Sequence, residues 1–169
     1  MRRLVSGLIL LPVLTLVVAC ERQAVPGAEG PKAAAAAFQH GLSGDVSGYY
    51  VPLVPATAGD WTLNRIFVGQ PADFAAWEAG GGQGDFAPVR LVVGGIAVRP
   101  TAYRVEDDRL RFEGTAEGPG EVVFDGVVDP EALATARRNL GEEGPVVTGT
   151  LTVDGQTVRD VRLRWSLGD

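Results

Sequence analysis

The stretch VRDVRLRWSL, Val158–Leu167, has a period of two: Val161, Leu163, Trp165 and Leu167 fall on one side, Asp160, Arg162, Arg164 and Ser166 on the other. A helix would scatter these apolar side chains around its circumference, whereas a strand gives them one dry and one wet face. The segment reads as a half-buried strand, and such strands belong to antiparallel sheets that turn one face to a core.

Working outward, the same vocabulary recurs from Asp45 onward. Val46–Leu53, Trp61–Val68, Val89–Val98, Ala102–Val105, Leu110–Glu113, Val122–Val128 and Val147–Val153 are short, rich in β-branched and aromatic residues, and separated by Gly and Pro. The expected fold is mainly β (α+β): an antiparallel sandwich or partly open barrel with two short helices covering its ends. Loop length fixes register, because a one-residue slip turns an apolar set to the wrong face. A two-residue Asp154-Gly155 turn sets Leu151 against Val158 and Val147 against Arg162, which is a mismatch. A three-residue Val153–Gly155 loop sets Val147 against Val161, so that loop is expected. Around Asp107-Asp108 a short turn pairs Val105 with Leu110 and Tyr103 with Phe112, leaving Glu106 facing Arg109.

Two segments have helical spacing. DPEALATARRNLG offers Asp129 as N-cap, Pro130 at the first helical position, Leu133, Ala136 and Leu140 on one stripe, and Gly141 as terminator. PADFAAWEAG begins at Pro71, carries Phe74 and Trp77 on one face and closes at Gly80. Each follows a strand and precedes a Gly loop, a Pro-Val step and another strand, the pattern a diverged internal duplication leaves.

The N-terminus has a different character. Arg2 and Arg3 precede an uncharged run, Leu4–Ala19, that contains Pro12 and ends on a small residue, the layout of a secretory signal peptide. A membrane-spanning helix needs about 20 apolar residues, more than this run supplies. Val17-Val18-Ala19-Cys20 resembles the lipobox of bacterial lipoproteins, with Val17 where that family prefers Leu; the resemblance covers residues 1–20 and none of the folded part. It implies that Cys20, the only cysteine, receives a diacylglycerol thioether and that cleavage falls just before it. Two or three acyl chains hold a protein on a membrane where one is marginal. In diderm lipoproteins Asp after the cysteine favours inner-membrane retention; Glu21 implies an outer-membrane location facing the periplasm. Residues 1–19 are thus read as a leader, 20–42 as the acylated cysteine and a Pro/Gly-broken tether, and 43–169 as one β-rich domain.

Without the leader the chain holds 13 basic and 21 acidic residues, a net charge of −8. A polyanion such as nucleic acid would be repelled overall. His40, the only histidine, is expected in a solvated loop at the end of the tether, with no Gly-x-Ser-x-Gly elbow nearby. One histidine and an acylated cysteine offer no usual zinc set, and Glu106, Asp107 and Asp108 read as a polar hairpin tip. GGGQGD, Gly80–Asp85, has no Lys-Ser/Thr ending and reads as a connector. No metal and no cofactor are expected. The aromatic residues Tyr49, Tyr50, Trp61, Phe67, Phe74 and Trp77 cluster in sequence. Most are expected in the core, while Tyr49, Tyr50, Trp61 and Trp77 are the candidates for a ligand or partner patch. The expected role is a non-catalytic accessory or adaptor of the cell envelope; the alternatives are a carrier of an apolar molecule or lipid in a barrel cavity and a carboxylate-dependent hydrolase.

Overall fold

A computed structural model describes residues 37–140 and 143–168. The expected leader, Cys20, most of the expected tether and Gly141 lie outside the described residues. Among the described residues ten strands and two complete helices follow in the order β1 (Phe38–Gly41), β2 (Gly48–Pro52), β3 (Ala56–Ala58), β4 (Trp61–Val68), α1 (Pro71–Ala79), β5 (Val89–Val93), β6 (Ile96–Glu106), β7 (Arg109–Ala116), β8 (Gly120–Val128), α2 (Pro130–Arg138), β9 (Val147–Val153) and β10 (Gln156–Ser166).

Eight of the strands close on themselves in the circuit β2-β4-β5-β6-β7-β8-β9-β10, every neighbour antiparallel. The domain is therefore an antiparallel barrel, closed rather than partly open, and closure leaves no edge in the circuit unpaired. Short β3 extends the edge of β4 beyond β2, and β1 runs parallel to the last part of β6. The folded domain thus begins ahead of the expected Ser43: Phe38 is 8 % exposed and belongs to the core. Each barrel strand finds both neighbours within residues 48–166, so nothing before residue 37 is needed to complete the circuit.

Period-two burial runs around the wall: Val89, Leu91 and Val93 on β5, Leu110 and Phe112 on β7, Val122 and Phe124 on β8, and Val161, Leu163 and Trp165 on β10 all point inward. Ile66, Leu91, Val98, Phe112, Phe124, Leu151 and Leu163 are each 0 % exposed, so no water-sized space touches them. The interior is packed. Large rings are accommodated by omitting side chains beside them: a Cβ on Gly126 would lie 2.8 Å from the Phe124 ring, and one on Gly149 2.9 Å from it.

Two turns differ from the sequence expectation, and at a third only the side-chain ion pairs do. Val89–Val98 is two strands, because Gly94-Gly95, both with positive φ, reverse the chain between Val93 and Ile96. The β9–β10 connection is the two-residue turn, with Asp154 and Gly155 in the left-handed region and Leu151 opposite Val158. The mismatch it would cause is removed by a bulge between Val158 and Val161, where Asp160 takes a φ of 56° and Val147 meets Leu163. The Asp107-Asp108 turn pairs its flanks as expected, but Glu106 bonds Arg104 at 2.7 Å instead of Arg109, which goes to Asp125 at 2.8 Å.

Both helices cover the same end of the barrel, not opposite ends. The meander brings the end of β4, the start of β5, the end of β8 and the start of β9 to one rim, and each helix bridges such an antiparallel pair. Each has Pro at its first position and buries the fourth and seventh, Phe74 and Trp77 in α1, Leu133 and Ala136 in α2. The two expected strand-helix-strand segments thus follow one path. Asp129 caps α2 by accepting from Glu131 N at 3.0 Å and Ala132 N at 2.9 Å. Leu140 (71 % exposed) and Leu167 (64 %) leave their expected apolar faces because each lies past the end of its element.

Candidate functional site

The four aromatic residues proposed for a patch do not come together. Tyr50 points into the barrel, where its hydroxyl donates to Val46 O at 2.6 Å and burial pushes its pKa well above the usual tyrosine range. Trp77 is buried beneath α1, edge-on to Phe38. Trp61 sits half-buried at the opposite rim, close against Gly94 and Gly118. Tyr49 alone lies on the outer wall, and a different set of residues joins it there.

Registers across β5, β4, β2 and β10 place Arg90, Phe67, Tyr49 and Ser166 in one outward row. The next row holds Val92, Arg65 and Arg164, with Val51 of β2 opposite Arg164. None of these eight outward positions is acidic, although the chain has more acids than bases. Phe67 packs on Tyr49 at 5.4 Å between centroids and edge-on to Phe86 at 5.5 Å, and Phe86 is 49 % exposed. The Arg90 guanidinium lies over both Phe67 (5.0 Å) and Phe86 (4.9 Å), and Arg65 lies over Tyr49 (5.4 Å). The Arg90 Nε is buried without a hydrogen-bond partner. Between Arg65 and Arg164 a cleft of about 310 Å³ is lined by Tyr49, Val51, Asn64 and Ser166 as well.

These arginines differ from those on the opposite wall. Arg104, Arg109 and Arg111 on β6 and β7 are all paired, with Glu106, Asp125 and Glu113 at 2.7–2.9 Å. Among the described residues Arg99, Arg138 and Arg159 also lack a carboxylate partner, but only this wall groups three such arginines, Arg65, Arg90 and Arg164. Stacking on rings holds two of them in place while leaving charge uncompensated, an arrangement suited to oxyanions.

Other candidates are committed to structure. His40 is not in a solvated loop: it lies on β1, its Nδ1 2.9 Å from Glu78 of α1, stacked on Phe74 at 5.4 Å. Tyr103 donates to the same carboxylate at 3.1 Å, and burial with the Glu78 charge pushes its pKa up. No serine or threonine shares that hydrogen-bond cluster, so it ties α1 and β1 to the barrel without supplying a nucleophile. A second cleft, about 570 Å³, lies between α2 and the 43–46 segment, lined by Val46, Pro130 and Leu133 with Asp45, Asp107 and Arg137 around it. Burial works against the Asp45 charge, but hydrogen bonds from Ser47 and the Arg137 guanidinium outweigh it and lower the pKa. Asp107 is lowered by hydrogen bonds from the Ser43 hydroxyl and amide. Neither carboxyl is held protonated as a general acid requires. Among the described residues no group of three His, Cys, Asp or Glu is placed to hold a metal ion. Within GGGQGD, the Gly84 carbonyl accepts from Arg99, which also lies over Trp77.

The outer-wall arginines carried a signal in sequence, since alternation alone turns Arg164 outward and, with Ile66 and Val68 inside, Phe67 as well. What joined them was strand order, and reading Val89–Val98 as one strand left Arg90 without neighbours. Comparison with models of known protein families, with curated proteins and with solved structures finds no match for this chain.

Proposed function

We propose that this chain is an acylated lipoprotein of the cell envelope, anchored through Cys20 and held at the outer membrane facing the periplasm, whose barrel is a non-catalytic adaptor. It engages another envelope component through the arginine-aromatic wall of β2, β4, β5 and β10. The observation that carries this reading is the grouping of Arg65, Arg90 and Arg164 on one wall whose two outward rows hold no acidic residue, two of them lying over aromatic rings, whereas Arg104, Arg109 and Arg111 on the opposite wall are paired with carboxylates. Interfaces are enriched in Arg, Tyr and Phe for this reason: they offer area and directional charge at little entropic cost. The packed interior favours a surface role over carriage inside the barrel. The apolar floor of the α2 cleft supports a second reading, a small apolar ligand held there.

The test is photo-crosslinking in native cells with the lipidated protein. A photoreactive residue at Val92, in the middle of the wall, should give a specific adduct. The same residue at Val127, 64 % exposed on β8, should not. Equal labelling from both sites, or none from Val92, contradicts the adaptor reading.

A further inference from the structure

The chemistry of the wall narrows the partner, and this step rests on the reading of that wall as a docking surface. We infer that its occupant is the headgroup layer of an anionic phospholipid surface, on which the anchored barrel lies on its side.

Four observations point this way. Arg65 on β4 and Arg164 on β10 stand on the strands either side of β2 and line one cleft with Val51, so a phosphate seated in it would meet both guanidinium groups. Arg90, fixed between Phe67 and Phe86 with Nε buried and unpartnered, places a third donor group in the same face. Exposed apolar side chains stand at one edge of this charge: Phe86 (49 %) precedes β5, and Leu167 (64 %) follows Ser166, which pairs with Tyr49. A headgroup layer offers phosphate for the arginines beside a boundary that accepts aromatic and aliphatic tips; a free anion gives Phe86 and Leu167 nothing. Finally, the segment ahead of the barrel, which joins it at β6 where Ala37 lines a cleft with Arg104 and Arg111, is long enough to let the arginine-aromatic wall, opposite this junction, meet the membrane. Residues 21–37 extended at ~3.1 Å each span about 50 Å, so an anchor at Cys20 gives the barrel ample slack to lie flat. The overall negative charge opposes adsorption by any other face, which makes the orientation specific.

The experiment uses residues 21–169, which keep the entire closed barrel and lack the anchor, in flotation with phosphatidylglycerol/phosphatidylcholine vesicles and with phosphatidylcholine alone. The expected result is binding to the anionic vesicles only, weakened by raised salt. Near a charged surface each arginine contributes about five-fold in affinity. Arg65→Ala with Arg164→Ala should therefore lower binding about 25-fold, and Phe86→Ala should lower it with no change in salt dependence. Arg109→Ala on the opposite wall should leave it unchanged, and thermal melts verify that each variant is folded. Equal binding to both vesicle types, or an unaffected double variant, overturns the inference. Saturable binding of glycerol phosphate without vesicle binding identifies a soluble phosphate compound instead and also overturns it. If vesicles fail while Val92 still crosslinks a protein in cells, the lipid assignment falls and the adaptor reading stands; if Val92 captures nothing, the adaptor reading falls with it.

Discussion

Replacing Trp165 with alanine probes the strand from which the fold was read. Its side chain faces the barrel interior and is 6 % exposed, its Nε1 donates to Ser47 O at 2.9 Å, and the Arg137 guanidinium lies over the ring at 5.1 Å. Truncating a buried aromatic costs ~3–5 kcal/mol in transfer and cavity terms. Losing the stacked cation adds about 0.5–1 kcal/mol. The lost hydrogen bond adds little, because Ser47 O still accepts from Arg137 Nη1 at 2.8 Å. Gly48 sits hard against the same ring, and its backbone is held by β4, so the gap would not collapse freely. A loss of about 4–5 kcal/mol follows, which for a domain of this size lowers the midpoint of thermal unfolding by about 10–20 °C. Arg164→Ala, one residue along and on the outer wall, should change stability by no more than ~0.5 kcal/mol. Denaturant and thermal unfolding of both variants measure the contrast. A neutral Trp165→Ala beside a strongly destabilising Arg164→Ala would show that the strand presents the opposite face to the core.

Two further outcomes follow from the proposed anchor and from the buried tyrosines. Cys20→Ala should abolish incorporation of radiolabelled fatty acid and leave the precursor uncleaved at that site; label retained in the variant would refute acylation there. Tyr50 and Tyr103 have pKa values raised by burial, with the Glu78 charge adding to the shift of Tyr103. Their stabilising contribution is complete below the unfolded tyrosine pKa of about 10 and is lost as pH rises beyond it. Absorbance at alkaline pH should therefore show both remaining un-ionised about one unit above that value until the barrel unfolds; early ionisation of both would mean that they are accessible.

Much of the barrel was legible because period-two alternation is a local property. β4 and β9 match their sequence-derived limits, and both helix starts follow from a proline at the first position and a polar residue before it. Less legible was how strands meet. Gly94-Gly95 is by composition a two-residue hairpin turn, but it lies inside the apolar run Leu91–Val98, whose apparent continuity hid the reversal. The β9–β10 turn was rejected on register because a bulge was not considered. The chain instead accepts one unpaired residue at Asp160, a residue type that tolerates the left-handed region, and keeps the favoured two-residue turn. Closure was not readable at all, because pairing of β2 with β10 depends on long-range order. The same limit hid the candidate site: Arg65, Arg90 and Arg164 are scattered along the chain and become neighbours only through registers of four strands. Among the expected patch residues, Tyr50 and Trp77 were misplaced because aromatic content does not say which side of a strand or helix faces inward.

The measurement that bears most directly on the account is the effect of charge reversal on capture by the outer wall. With the photoreactive residue at Val92 in the lipidated protein, Arg65→Glu and Arg164→Glu together should leave the melting temperature within a few degrees, since both side chains lie on the outer wall, and should abolish the adduct. An adduct formed undiminished by the folded, charge-reversed protein would contradict the claim that these arginines hold its partner.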